Sequence, residues 1–469
     1  MMTLKSFYPR FIKEARELMA LALPIIISQL ALQGMNFVDT AMAGQASAVD
    51  LASVAIASSL WVPVRLLMRG TLMALPPTIA HHRGAGDNGE IVLDIAQALW
   101  IALLFSLVLI AYLLGAEGVL RFMNVAPEII PAATGYMHAL AFGVPAIAAY
   151  LTLNGLCEGM GDTRAPMFIS IAGLLTNIPV NYILIYGKLG MPAMGAVGCG
   201  WATSLVYWVM SLLLFGYLKL NGQYKGLLPS LQQLSLDWTR AKNLFGLGLP
   251  IGLTIFVEGS IFAGVALLIG QLGTTAVASH QIAMNVSGLT FMVPLSISFA
   301  ITVRVGHALG AERLDTAKLR TVSGMILAVM CAVVAALCLV TFPDAITRIY
   351  TTDPIVSHSA GLLLVYAAVY QLSDALQAAA AGSLRGFRDT RWPMLLVTIA
   401  YWGIGIPVGY VLGITDIVTR PMGPAGFWIG LISGLTAAAI FLGVRLITVI
   451  RRVEKHTPMT VPETFEAAA

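Results

Sequence analysis

Three acidic residues stand alone in long apolar stretches. Asp39 lies in GMNFVDTAMAG, Glu258 in FVEGSIF and Asp374 in VYQLSDALQAA. A charged side chain at the centre of a bilayer costs about 2.5–3.5 kcal/mol on insertion scales. Such an acid faces a watery cleft, pairs with a cation or carries a proton; the plainer option is a helix–helix hydrogen bond from the protonated acid. The same oxygens hold a sodium ion when neutral oxygens complete the shell. Around Asp374 those oxygens are at hand. Tyr370 and Gln377 lie about one turn away on the same helical face, and Ser373 is adjacent. Glu258 has small neighbours, Gly259, Ser260 and Gly264. Asn177 and Asn181, four residues apart, share a face, and buried amides need each other, water or an ion. The chemistry on offer is reversible uptake of a proton or a cation, not covalent catalysis. No HExxH-like cluster sits at membrane depth, so an enzyme is not expected.

These residues need a membrane around them, and the composition supplies the argument. The chain has 469 residues, of which 58% are hydrophobic and 11% charged, and its mean hydropathy is +0.84. Soluble domains carry about 25% charged residues, so this chain cannot cover a water-facing surface. Apolar runs of about 20 residues recur, each long enough to cross a bilayer core as a helix. They are continuous rather than alternating, which excludes a barrel. The expectation is an all-α polytopic membrane protein. About twelve spans are read, at 17–40, 51–79, 92–115, 129–152, 164–187, 195–219, 242–266, 276–302, 318–341, 355–379, 391–414 and 424–449.

Basic residues orient the spans. Arg121, Lys188, Arg348 and Arg420 fall on one side, Arg65 and Arg69 fall within a span, and the remaining 21 of the 27 fall on the other side. Both termini are expected to be cytoplasmic.

The second half repeats the first. GLCEGMGDTRAPM (155–167) aligns without a gap with GSLRGFRDTRWPM (382–394), LALP at 21 with LGLP at 247, and IPVNY at 178 with IPVGY at 406. The shift stays near 226–228. Six is an even number of spans, so both halves enter the membrane in the same direction, as two pseudo-symmetric six-helix lobes around a central cleft. The expected division is an N-lobe at 1–218, a cytoplasmic linker at 219–242, a C-lobe at 243–450 and a disordered cytoplasmic tail at 451–469. Pro24 and Pro250 are repeat equivalents, and each removes a helical hydrogen bond. They are candidate hinges in the spans carrying Asp39 and Glu258.

Internal repeats about a cleft suit a secondary transporter. No GxxxxGK[ST] loop provides for ATP, and the GxGxxG spacing at Gly84–Gly89 follows a membrane helix, so it reads as a turn. Two pseudo-symmetric halves with isolated acids suit alternating access better than a continuous pore. Arg65 and Arg69, on one face of the second span, oppose a purely cation-lined cleft. They read as cavity-wall residues, or as a place for anionic or zwitterionic groups.

At FVDTAMAG, FVEGSIF, the Tyr370–Asp374 segment and AGSLRGFRDTRWPM, the chain resembles the MATE family of multidrug and toxic compound extruders, in its NorM-like branch. The likeness runs over nearly the whole chain. It implies a V-shaped inner-membrane antiporter of bacteria that exports amphipathic, mostly cationic drugs and dyes in exchange for H+ or Na+. It implies a coupling-ion site at Glu258 and Asp374 with Tyr370 nearby, and a second candidate at Asp39 with Asn177 and Asn181. No cofactor is expected beyond the coupling ion, and no metal beyond a sodium at Glu258 and Asp374. The expected partners are drugs, dyes and membrane lipid, not nucleic acid, and the protein is expected to be a monomer. The alternative is a flippase for a lipid or lipid-linked oligosaccharide, since related folds do this.

Overall fold

The structure is a computed structural model and describes residues 4–230 and 232–456. Twelve helices among these residues are long and apolar enough to cross a membrane. They fall where the apolar runs place them, six in each half. The N-lobe comprises α1 (Leu4–Ala46), α2 (Ala48–Leu72), α3 (Leu75–Ala85), α4 (Asn88–Leu114), α5 (Ala116–Phe122), α6 (Ile130–Gly159), α7 (Arg164–Tyr186) and α8 (Ala196–Leu220). The C-lobe comprises α9 (Trp238–Gly270), α10 (Thr274–Gly310), α11 (Leu314–Thr341), α12 (Pro343–Tyr350), α13 (Pro354–Gly386), α14 (Arg391–Thr398), α15 (Ile406–Gly413) and α16 (Pro424–His456). Large apolar side chains such as Leu104, Leu107 and Val108 of α4 are exposed, as a hydrocarbon-facing surface requires.

Side-chain caps set several starts. Asp87 accepts from the Glu90 amide at 3.2 Å, Asp237 from Thr239 at 2.9 Å, and Asp353 from Ile355 at 2.8 Å. The second span is broken into α2 and α3, and Pro76 and Pro77 sit in the first turn of α3, where a missing N–H does no harm. The short α5 and α12 are repeat equivalents that lie outside the expected spans. The linker is shorter than 219–242, because α8 runs to Leu220 and the Asp237 cap starts α9 at Trp238. Gln97 and Trp100 of α4 hold it by bonds to the Ser235 and Leu234 carbonyls, at 3.1 and 2.7 Å. Residues 451–456, expected in the tail, continue α16 as helix; 457–469 lie outside the described residues.

The eleventh span carries a seven-residue π-helical stretch, Ile399–Gly405, between α14 and α15. Its repeat equivalent, α7, is uninterrupted. Both have a proline at the matching place, Pro179 and Pro407, so proline alone does not make the π stretch. Gly403 and Gly405 stand where α7 has Leu175 and Asn177, and glycine weakens the α-helical hold.

The lobes meet through glycines. A Cβ on Gly84 would lie 2.2 Å from the His307 carbonyl oxygen, and one on its repeat equivalent Gly310 would lie 1.9 Å from that of His81. Gly70, Gly248 and Gly252 let α2 and α9 cross at backbone distance; a Cβ on Gly70 would meet the Gly252 Cα at 2.4 Å. Polar bonds join the lobes on the same side. His81 Nε2 lies 2.8 Å from the Gly386 carbonyl oxygen, Arg240 pairs with Glu90 at 2.5 Å, and Arg304 pairs with Glu14 and Glu17. Among the described residues, every side-chain hydrogen bond or ion pair from lobe to lobe lies on the side carrying the linker. The seal is therefore one-sided.

Candidate functional site

Each lobe holds a polar site among its membrane-spanning helices. In the N-lobe, α1 brings Asp39 against α7 and α8. Asn177 and Asn181 donate to Asp39 Oδ1 at 3.0 and 2.6 Å, and Thr203 donates to Oδ2 at 2.8 Å. Asn181 Nδ2 also donates to Asn177 Oδ1 at 3.0 Å. Its nitrogen thus faces two acceptors, which fixes the amide's orientation. The Asn181 Oδ1 that results is buried without a hydrogen-bond partner. Asp39, Asn177 and Asn181 are all buried. A carboxylate beside an unsatisfied amide oxygen is a donor set for a hard cation or a proton.

In the C-lobe, α9 supplies Glu258 and α13 supplies Tyr370, Asp374 and Gln377. Gln377 Nε2 donates to Glu258 Oε1 at 2.8 Å. Asp374 is buried and has no hydrogen bond among the described residues, while Glu258 lies within electrostatic reach of it. Tyr370 is buried beside both acids and packs edge-on against Trp428, with ring centroids 5.7 Å apart. Two carboxylates thus belong to one interior, with Gln377 donating to Glu258 and no donor to Asp374 among the described residues. Ser373 turns elsewhere and pairs with Thr436 of α16 at 2.8 Å. Trp402, in the π stretch, donates to Ser260, two residues along α9 from Glu258, at 3.3 Å.

Pro24 and Pro250 are buried inside uninterrupted helices on the linker side of these acids. Pro250 keeps its own carbonyl occupied, accepting from Thr254 Oγ1 at 2.8 Å.

Four residues join the sites without having been singled out in the sequence. Thr203 completes the Asp39 shell, but a threonine in an apolar helix ordinarily bonds its own backbone and gives no signal. Tyr401 is buried near Glu258 and Asp374. Glu158 and Arg385 line the cavity between the lobes with Arg65 and Arg69. Their signal stood in the aligned repeat segments, where Glu158 of GLCEG answers Arg385 of GSLRG.

A family model described as MatE matches residues 24–183 and again 250–411, so its two copies start at the paired prolines. The chain is 44% identical over 438 residues to the multidrug resistance protein MdtK of Yersinia pestis (strain Pestoides F), covering 93% of this chain and 96% of that one. This chain belongs to the MatE family. It is also 43% identical over 438 residues to MdtK of Photorhabdus laumondii, covering 93% of this chain and 96% of that one. The fold agrees with solved MATE structures. A MATE in complex with MaD3S superposes with a TM-score of 0.85 at 21% identity, over 94% of this chain and 97% of that one. The eukaryotic MATE transporter AtDTX14 gives 0.82 at 18% identity, over 96% and 100%. The MatE fold thus places Asp39 in one lobe and the Glu258–Asp374 pair in the other, above a shared seal.

Proposed function

We propose that this chain is a multidrug exporter of the bacterial inner membrane, with both termini and the linker in the cytoplasm. It exchanges H+ or Na+ for amphipathic, mostly cationic drugs and dyes by alternating access. The observation that carries the reading is the Glu258–Asp374 pair, two membrane-depth carboxylates of which Glu258 accepts one hydrogen bond, from Gln377, and Asp374 accepts none among the described residues. A proton or sodium ion neutralises such a pair, and so does the cation of a drug. Mutually exclusive occupancy couples the two flows without covalent chemistry. The one-sided seal suits an outward-open state, in which the cytoplasmic ends of α2, α3, α9 and α10 are locked together. The names of the MdtK relatives support the drug class.

The test is dye transport in liposomes carrying wild type, Glu258→Gln or Asp374→Asn. A pH gradient is imposed without sodium, then a sodium gradient at fixed pH. Export driven by either gradient in wild type and lost in both variants is the expected result. Dye moved equally by the variants would remove the acids from coupling. If neither gradient moves dye in wild type, the exporter reading itself falls.

A further inference from the structure

The seal on the linker side has two faces related by the repeat, and they are finished differently. On one face, His81 Nε2 lies 2.8 Å from the Gly386 carbonyl oxygen. The repeat equivalents of these two residues are His307 and Gly159. They make no such bond. The His307 ring has no hydrogen bond among the described residues, and it and Gly159 line a cavity of about 320 Å³ between the lobes. The backbones cross alike on both faces, at Gly84 and Gly310, so the difference lies in the side chains.

Three guanidinium groups line that cavity. Arg83 comes from α3 of the N-lobe, Arg304 from α10 and Arg320 from α11 of the C-lobe. Arg313 joins them within electrostatic reach of His307. The acids that face these cations are Glu14 and Glu17, and Arg304 engages both. Arg320 donates from Nη1 to the Arg304 carbonyl at 2.6 Å and has Glu14 as a longer ion partner at 3.6 Å; its Nε is buried without a hydrogen bond. The Arg83 side chain forms no hydrogen bond or ion pair among the described residues. Its guanidinium lies against Gly161, where a Cβ would come within 3.1 Å of Nη1. More positive charge therefore faces this cavity than its acids neutralise, and buried charge left unpaired is costly.

The repeat does not demand these cations. At the matching positions the other face has Leu309 for Arg83, Thr78 for Arg304 and Asp94 for Arg320, and Asp94 pairs with His82 at 3.0 Å. Nor does the excess of basic residues in cytoplasmic loops account for them. The Arg304 and Arg320 side chains are only 14% and 16% exposed, and they are held against the other lobe.

We infer that this cavity is a phosphate-binding site, and that a phosphate group bound there ties α3 to α10 and α11 and holds the linker side closed. A guanidinium fork takes two oxygens of such a group. A carboxylate is used up by one fork, whereas a phosphate has oxygens for Arg83 of one lobe and Arg320 of the other. The cavity has room for a phosphate or a lipid headgroup, and basic pockets between helices on the cytoplasmic side take phosphate headgroups. An anionic phospholipid and a soluble phosphate offer the same chemistry. Because the site is built from both lobes, it is complete only when they meet, so its ligand favours that state. The inference concerns the seal and stands whatever the cargo is.

The test reads the distance between spin labels on α3 and α10, and needs no transport. Purified protein in detergent is titrated with sodium phosphate, or with sodium chloride at matched ionic strength. In a second arm it is placed in nanodiscs of phosphatidylcholine with increasing phosphatidylglycerol. Wild type is expected to shift toward the short distance in at least one arm, and not with chloride. A shift with sodium phosphate marks a soluble ligand, and a shift with phosphatidylglycerol alone marks a lipid. Arg83→Gln should raise the midpoint of that titration about tenfold or more, the worth of a charge-assisted hydrogen bond, and Arg83→Lys should raise it less. Arg83 bonds nothing in the protein, so a merely structural role predicts an unchanged midpoint. If the glutamine variant does not insert, the lysine variant is read in its place. No shift in either arm, an equal shift with chloride, or a midpoint unmoved by the Arg83 substitution overturns the site.

Discussion

In the N-lobe, Asp39 takes three hydrogen bonds from Asn177, Asn181 and Thr203. At the repeat-equivalent positions the C-lobe has Val265, Gly405, Gly409 and Leu431. Val265 and Leu431 are buried apolar side chains, and the two glycines pack against α16; a Cβ on Gly430 would meet the Gly409 Cα at 2.4 Å. The C-lobe acids are displaced in turn. Glu258 aligns with Leu32 and Asp374 with Ile147. Glu258 thus sits seven residues, about two turns, closer to the linker side than the N-lobe acid. A duplicated backbone has kept its helix count and its glycine crossings but placed one polar site per lobe in unlike surroundings. In one lobe the carboxylate is enclosed by neutral donors. In the other, one carboxylate accepts from a single amide and its neighbour accepts no hydrogen bond among the described residues. Under the proposed function the difference points to the C-lobe pair as the place of exchange, since the better-satisfied acid has less to gain from an incoming ion.

The comparison breaks most readily at the C-lobe pair. Glu258→Gln or Asp374→Asn removes the differential binding that links ion to drug, a coupling of about 1–3 kcal/mol or ~5–150-fold. Gradient-driven dye export in liposomes is expected to fall by that factor, while the amount of folded protein by size exclusion stays at the wild-type level. Next is the seal that both lobes share. Arg304→Gln strands Glu17 and leaves Glu14 only the longer pair with Arg320 at 3.6 Å, and truncating one partner of a close charge pair costs about 2–5 kcal/mol. Spin labels across α3 and α10 should report a longer linker-side distance and a smaller closed population. A smaller effect sharpens the packing side of the comparison. Gly430→Ala forces α15 and α16 apart, and overpacking costs about 1–3 kcal/mol. The thermal midpoint should drop, whereas the aligned N-lobe position is already Ala202. The smallest change belongs to Asp39→Asn. Its neighbours are amides and a hydroxyl that can re-pair with an amide, so export should fall several-fold less than in the C-lobe variants, read in the same liposome assay.

Much of this was legible in the sequence. The twelve spans follow from apolar length, and the lobes from the aligned DTR and LxLP segments. Asp39, Glu258 and Asp374 stand out because a lone acid in hydrocarbon demands a reason. Their partners were harder to see. Asn177 and Asn181 announce a polar face of α7, but nothing in their spacing says that Asp39, 138 residues away, closes it. Gln377 was visible as a neighbour of Asp374 along α13, yet it spends its donor on Glu258 of another helix. The π stretch at Ile399–Gly405 was hidden because the proline that marks it also occurs in α7, which stays α-helical. Long-range pairing and local helix geometry depend on how faces meet, which periodicity does not encode.

The central claim is that the C-lobe pair, not the N-lobe acid, exchanges the coupling ion. Drug-induced ion release tests it most directly. Purified protein in lightly buffered detergent solution is mixed with ethidium, and released protons are followed with a pH dye and released sodium with a sodium electrode. The account predicts release of one of these ions from wild type and Asp39→Asn, and none from Asp374→Asn or Glu258→Gln. Release that persists in both C-lobe variants and disappears in Asp39→Asn would contradict it.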